Sequence, residues 1–261
     1  MPNLNVFIDG TWLFRVCQPD GVLSNRTENS AQSFKIDFKK LTESLLHHIL
    51  YLDSSTGIGE RYLSTSIFVM PDDVNDWPNQ NPDITLDDIN RVERGVKSRE
   101  NMVQNALQSG FSDLAVYRPR LKHFMIERLK NKTFQEKQVD ATVIALLVKS
   151  AITKSDDFHA FITGDSDILP AIRVAYPEYS RNVVLVTTHP DELRAEHRQT
   201  SFSYMDFQFD IKPYFLQDHV KEIIQGQNVY ECSNCKKVFV RPKPVPKKNR
   251  PYCYSCNQAK T

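Results

Sequence analysis

Two sets of side chains in this sequence are of the types, and at the spacings, that bind metal ions. The first is acidic. Asp9 ends the apolar run LNVFI at residues 4–8, Asp165 and Asp167 follow a second apolar run, FHAFIT at 158–163, and Asp140 opens the apolar stretch at 139–153. Carboxylates crowded together repel one another unless a cation sits between them. Mg²⁺ is the hard, oxygen-seeking ion that such a cluster holds while keeping several waters. It can activate a water and neutralise charge on a phosphodiester oxygen. The second set is sulfur. Cys232-x-x-Cys235 and Cys253-x-x-Cys256 are separated by 17 residues. Two such knuckles supply the tetrahedral thiolate shell that Zn²⁺ prefers, and four thiolates leave no open position, so this zinc is structural. Cys17 stands apart and reads as a small buried residue.

Each acid alone has an ordinary explanation. Asp9-Gly10 is a turn signal, Asp165 or Asp167 a helix cap, and Asp140 a complement to a helix dipole. Their combination points further, because two strand ends and a helix start place acids at one edge of a parallel sheet, where α/β folds keep their ligand crevice.

The elements that would position these acids alternate along the chain. Apolar runs at 4–8, 62–70, 113–118, 158–163 and 182–187 read as strands. Helical periodicity marks 36–52, 86–108 and 139–153, with Gly110 as a stop signal, and a further helix follows Asp167 with Pro170 in its first turn. Residues 120–137 alternate basic and apolar side chains and read as a hairpin or irregular excursion, and 190–225 as one or two helices with an edge strand near Ser203. The expected fold is α/β: a mostly parallel sheet with helices on both faces, followed by a small C-terminal zinc ribbon. The boundary falls between residues 226 and 227, giving an α/β body over 1–226 (core 4–190) and a ribbon over 227–261.

Charge divides the chain the same way. The net charge is +1, but residues 231–261 hold eight Lys and Arg against the single acid Glu231, a tail of +7 that leaves −6 for the body. A basic tail suits a polyanion, with nucleic acid the first candidate. Lys236, Lys237, Arg241 and Lys243 interleave there with Tyr230, Phe239, Tyr252 and Tyr254, which serve either as a stacking surface or as the ribbon's own small core. Arg118, Arg120 and Lys122 begin a second basic stretch that leads in sequence toward Asp140, as a phosphate-gripping rim or as a solvated face. No apolar run reaches the roughly 18 residues of a membrane helix, and MPNLNVFIDG has no signal-peptide pattern. The thiol usage fits a reducing, cytoplasmic setting. No GxSxG, Walker A or GxGxxG motif occurs, and none of the seven histidines forms an HxxxH pair.

FIDG (7–10), KQVDATVIALLV (137–148) and ITGDSDILPAI (162–172) resemble the NYN domains of the PIN-like nuclease superfamily. The resemblance covers roughly residues 4–190. It implies a PIN-like three-layer sandwich and metal-dependent cleavage of RNA, leaving 5′-phosphate and 3′-hydroxyl ends. By motif position Asp9, Asp140, Asp165 and Asp167 would hold Mg²⁺ or Mn²⁺, and Lys137 would sit beside the scissile phosphate. Trp12 stands where the family commonly has Asn, and Leu146 where many members have another Asp, so a single-metal enzyme or a catalytically silent RNA-binding adaptor stays open. DNA cleavage is a third possibility. Homodimerisation has no supporting motif.

Overall fold

The computed structural model describes residues 1–131, 137–165, 168–189, 209–246 and 248–259, with the backbone alone for Lys137 and residues 169–171. β1 (Asn3–Asp9) leads into α1 (Gly10–Val16) and α2 (Phe38–Ile49), and β2 (Gly57–Ser66) into α3 (Trp77–Gln80) and α4 (Leu86–Gln108). β3 (Val116–Tyr117) is followed by α5 (His123–Lys130) and α6 (Lys137–Thr153), then β4 (Phe158–Ile162), α7 (Leu169–Ala175), β5 (Val183–Thr187), β6 (Tyr214–Phe215) and α8 (Val220–Ile223).

The six strands form one parallel sheet in the order β3-β2-β1-β4-β5-β6. Period-two alternation sends their side chains to two cores. Leu4, Val6 and Ile8 of β1, with Ala160, Ile162, Val184 and Val186, pack against Leu41, Leu45 and Ile49 of α2 and Val103 of α4. Phe7, Phe161, Val183 and Leu185 point the other way, onto Val143 and Leu147 of α6 and Ile172 of α7. Burying each of these aliphatic side chains contributes roughly 1.5–3 kcal/mol. The expected α/β sandwich, helices on both faces, is the observed one.

Local signals explain several boundaries. Thr85 caps α4 by accepting from the Asp88 N–H, while the Asp88 carboxylate accepts from the Thr85 N–H, a reciprocal capping box. Gly110, at φ +83°, ends it.

Other boundaries correct the sequence reading. Residues 120–137 hold helix α5 rather than a hairpin over their described part; Ile126 is its buried anchor, packed in a small cluster with Trp77, Ile84 and Leu121. β2 starts at Gly57, earlier than its apolar run, because Asn5 Oδ1 accepts the Glu60 N–H at 2.9 Å and ties its polar beginning to β1. Ser203 lies outside the described residues; the edge strand observed is β6, parallel to β5.

The C-terminal module is an antiparallel hairpin, β7 (Asn228–Glu231) with β8 (Val238–Arg241), and a short helix, α9 (Tyr254–Gln258). It packs on the loop after α1. Thr27 pairs with Val238, the Glu28 N–H donates to Val238 O at 2.8 Å, and the Tyr254 N–H donates to the Glu28 carboxylate. Val238 itself is buried in the core beneath the sheet. No helix among the described residues is long and apolar enough to cross a membrane.

Candidate functional site

The strand order reverses between β1 and β4, and in an open parallel sheet the crevice at such a switch point, outside the carboxyl ends of the strands, is where ligands bind. Asp9 is the last residue of β1, and Thr163-Gly164-Asp165 directly follows β4. The Asp9 carboxylate accepts the Trp12 N–H through Oδ1 and the Thr163 hydroxyl through Oδ2, both at 3.0 Å. The Thr163 hydroxyl in turn accepts the Asp165 N–H at 3.1 Å, so one threonine ties the two strand ends together. Burial pushes the Asp9 carboxyl above its ordinary 3.8, against the pull of the Trp12 and Thr163 hydrogen bonds. The charge of Asp165 pushes it further in the same direction, while Arg15 opposes.

The glycines in both motifs are there for close approach. A Cβ on Gly10 would lie 2.7 Å from Ser64 O on β2. One on Gly164 would lie 2.5 Å from Trp12 Nε1, so the indole lies directly on the Gly164 backbone. Asp140 enters from the other side. Ser64 Oγ donates to Val139 O at 2.8 Å, and Tyr117 of β3 is hydrogen-bonded to Thr142. These bonds pin the first turn of α6, with half-buried Asp140, over the carboxyl ends of β2 and β3.

Asp9, Asp165 and Asp140 therefore share one edge, and Asp9 and Asp165 interact electrostatically. Among the described residues, however, the four cysteines are the group of three or more donors close enough to hold a metal ion; the three acids are not drawn together to that degree. Asp167 lies outside the described residues, as does the side chain of Lys137, whose backbone opens α6.

The sulfur atoms of Cys232, Cys235, Cys253 and Cys256 lie within 4.8 Å of one another, and those of Cys235 and Cys253 are 3.6 Å apart. The edge of a tetrahedron with Zn–S of about 2.3 Å is about 3.8 Å, so the cluster could hold an ion such as zinc. Burial alone would raise the Cys232 thiol, but the N–H groups of Cys253, Cys235 and Asn234 more than offset it and bring it down to about 6.

No family model matches this chain, and no curated protein or solved structure matches it significantly. The resemblance to NYN domains accordingly rests on the three motifs alone.

The basic residues fall in two places. Arg118 follows β3, on the edge where Tyr117 meets α6, and makes a two-pronged pair with Glu100 at 2.8 and 3.1 Å. Arg120 pairs by its backbone with Val69, and exposed Lys122 precedes α5. In the ribbon, Lys236 lies 3.5 Å from Glu231, and Arg241 donates to Tyr252 O at 3.1 Å with its guanidinium 5.0 Å over Phe239. Lys237 is half-buried and Lys243 exposed. Phe239 is buried and Tyr230 and Tyr252 pack on the cysteines, so these three form the ribbon's core; Tyr254, 59% exposed, presents an open ring.

The sequence reading did not include Thr163, Ser64 or the Trp12–Gly164 contact. A threonine before Gly164 is visible in sequence, but only the strand order shows that its hydroxyl reaches Asp9.

Proposed function

We propose that this protein is a metal-dependent nuclease that hydrolyses phosphodiester bonds of single-stranded RNA. The observation that carries the reading is the pairing of Asp9 and Asp165 through Thr163 at the switch point of the sheet. A buried carboxyl raised by burial and by a second carboxylate is the environment that a hard cation relieves. Mg²⁺ is commonly held by one or two carboxylates, with waters and substrate phosphate filling the remaining positions. In this reading Asp9 and Asp165 hold Mg²⁺ or Mn²⁺ with Asp140 and Asp167 beside them, and Lys137 meets the phosphate. When bound, the ion supplies water activation and charge neutralisation on the phosphodiester. The Thr163 hydroxyl and the Trp12 N–H hold Asp9 in one orientation. Arg118, Arg120 and Lys122 follow the phosphate backbone away from the Asp140 edge. The four thiolates take a structural Zn²⁺, which keeps the ribbon and its basic side chains in place, and such a thiolate centre belongs in a reducing compartment such as the cytoplasm.

The test is incubation of the purified chain with 5′-labelled single-stranded RNA, in Mn²⁺ or in EDTA, beside Asp165→Asn. The expected result is cleavage that requires both the metal and Asp165. Equal cleavage by Asp165→Asn would overturn the assignment. A single-stranded DNA of the same sequence, run in parallel, separates a DNA nuclease from a ribonuclease.

Two observations favour a second reading, a non-catalytic RNA or protein adaptor. The indole of Trp12 covers Gly164, and both oxygens of Asp9 are already engaged within the protein. RNA that stays intact in every lane while the protein still retards it on a gel supports that reading.

A further inference from the structure

A cavity of about 460 Å³ lies between α1, the N-terminal part of α2 with the loop before it, and α4. Its size is in the range of small-ligand sites, about 300–1,000 Å³. Phe14, Phe34 and Phe38 give it aromatic walls. Asn101, Asn105 and Gln108, at i, i+4 and i+7, present neutral amides from one face of α4. Gln18 adds another amide; its Nε2 donates to Phe14 O at 3.2 Å. Among the described residues lining the cavity the one charge is Lys35, and there is no acid.

The cavity is not isolated. Ser33, Phe34, Lys35 and Gln225 also line a second depression of about 290 Å³, whose far wall is Val238, Phe239 and Val240 of β8. On the opposite side, the Arg99 guanidinium lies 4.9 Å over the Phe14 ring and donates to Ser66 O at 3.0 Å, at the carboxyl end of β2. The cavity and the depression on the ribbon hairpin therefore adjoin through these four residues, and Arg99 links the Phe14 wall to the end of β2.

Aromatic walls with neutral amides, and no cluster of charge, suit an uncharged planar heterocycle with hydrogen-bonding edges. Asn and Gln side chains pair with base edges, and unpaired bases stack on aromatic rings. We propose that this cavity takes one unpaired nucleobase of a single strand that continues onto β8, with Lys35 meeting its phosphate. The inference rests on the nucleic-acid reading above and adds to it a subsite that reads one base.

The test follows the side-chain amide NMR resonances of Asn101, Asn105 and Gln108 in the full chain. UMP, CMP, AMP and GMP are added one at a time, without a divalent ion other than zinc. The expected result is a saturable shift with at least one of the four, abolished in Met102→Trp, which fills the cavity, and about tenfold weaker in Asn105→Asp, the loss of one amide contact to a base edge. Asn105→Asp keeps the shape of a half-exposed helix residue and so stays folded. No shift with any of the four, or shifts that neither variant alters, would overturn the inference. Metal-dependent RNA cleavage without any nucleotide-induced shift sinks the base site and leaves the nuclease reading standing. Shifts without cleavage do the reverse.

Discussion

Replacing Gly164 by alanine tests the contact that joins the two strand-end motifs. The added Cβ would lie 2.5, 2.6 and 2.7 Å from Nε1, Cε2 and Cζ2 of Trp12. Ordinary carbon contacts lie at about 3.5–4.0 Å, so the indole has to retreat by about 1 Å. It has little room, since Trp12 is 1% exposed within the core under the sheet. Overpacking of this kind costs about 1–3 kcal/mol, which at about 2–4 °C per kcal/mol lowers the melting temperature by several degrees. Trp12→Phe shortens the ring system and costs up to about 3 kcal/mol by itself. In that background Gly164→Ala should cost almost nothing. The double-mutant cycle should therefore return a favourable coupling of about 1–3 kcal/mol, the range found for residues in contact. Urea unfolding followed by far-UV circular dichroism, in excess zinc, measures all four proteins. Costs that add to within about 0.5 kcal/mol would refute the reasoning, because residues without contact behave that way.

Asp9→Asn should gain stability over the wild type as pH rises. An acid whose folded value is raised gives stability that is full below its unfolded value and is lost as pH climbs through the folded one, so the loss begins above about 3.8. Urea midpoints at pH 4 and pH 8 that differ from wild type by the same amount would contradict this. Asp88 has the opposite sign: hydrogen bonds from the Thr85 hydroxyl and N–H, with Lys130, hold it down at about 2. Its contribution is present above 3.8 and is lost as pH falls toward 2, and Thr85→Ala should cost about 1 kcal/mol at neutral pH while flattening that acid limb. Lys236 sits at φ +64° in the first cysteine knuckle, so Lys236→Gly should relieve about 1 kcal/mol and tighten zinc retention against a chelator; unchanged retention would argue against strain there. Cys253→Ser should abolish bound zinc, read by elemental analysis, and also lower the melting temperature of the whole chain, because Val238 of the hairpin is part of the main core.

The buried strands were legible because parallel strands covered on both faces read as unbroken apolar runs, as in Val183–Thr187, which is buried throughout. Helix α4 was legible from its periodicity and from Gly110 at its end, while its capping box became visible only in the fold. Helix α5 did not, because Ile126 is its single fully buried residue and its basic side chains mask the period. The acids at strand ends could be picked out in sequence, but which strands lie side by side could not, since β1 and β4 are neighbours 154 residues apart, as Asp9 and Thr163 show. The cysteine spacing contained its own geometry, as local motifs do. The cavity was invisible for the same reason that β1–β4 pairing was: its walls come from α1, α2 and α4, distant segments with no shared signal.

The attachment of β8 to Thr27 and Glu28 has a consequence for the order of events during synthesis. A chain grows from its N-terminus, so the loop after α1 and the core position taken by Val238 wait, unfinished, while some two hundred residues are added. They close only when the last strand pair has emerged. If the four thiols take up an ion such as zinc to hold that pair together, supply of the ion would act as a checkpoint on maturation of the whole molecule, and a newly made chain in a zinc-starved cell would be left open at its base and exposed to quality control, however well its sheet had formed.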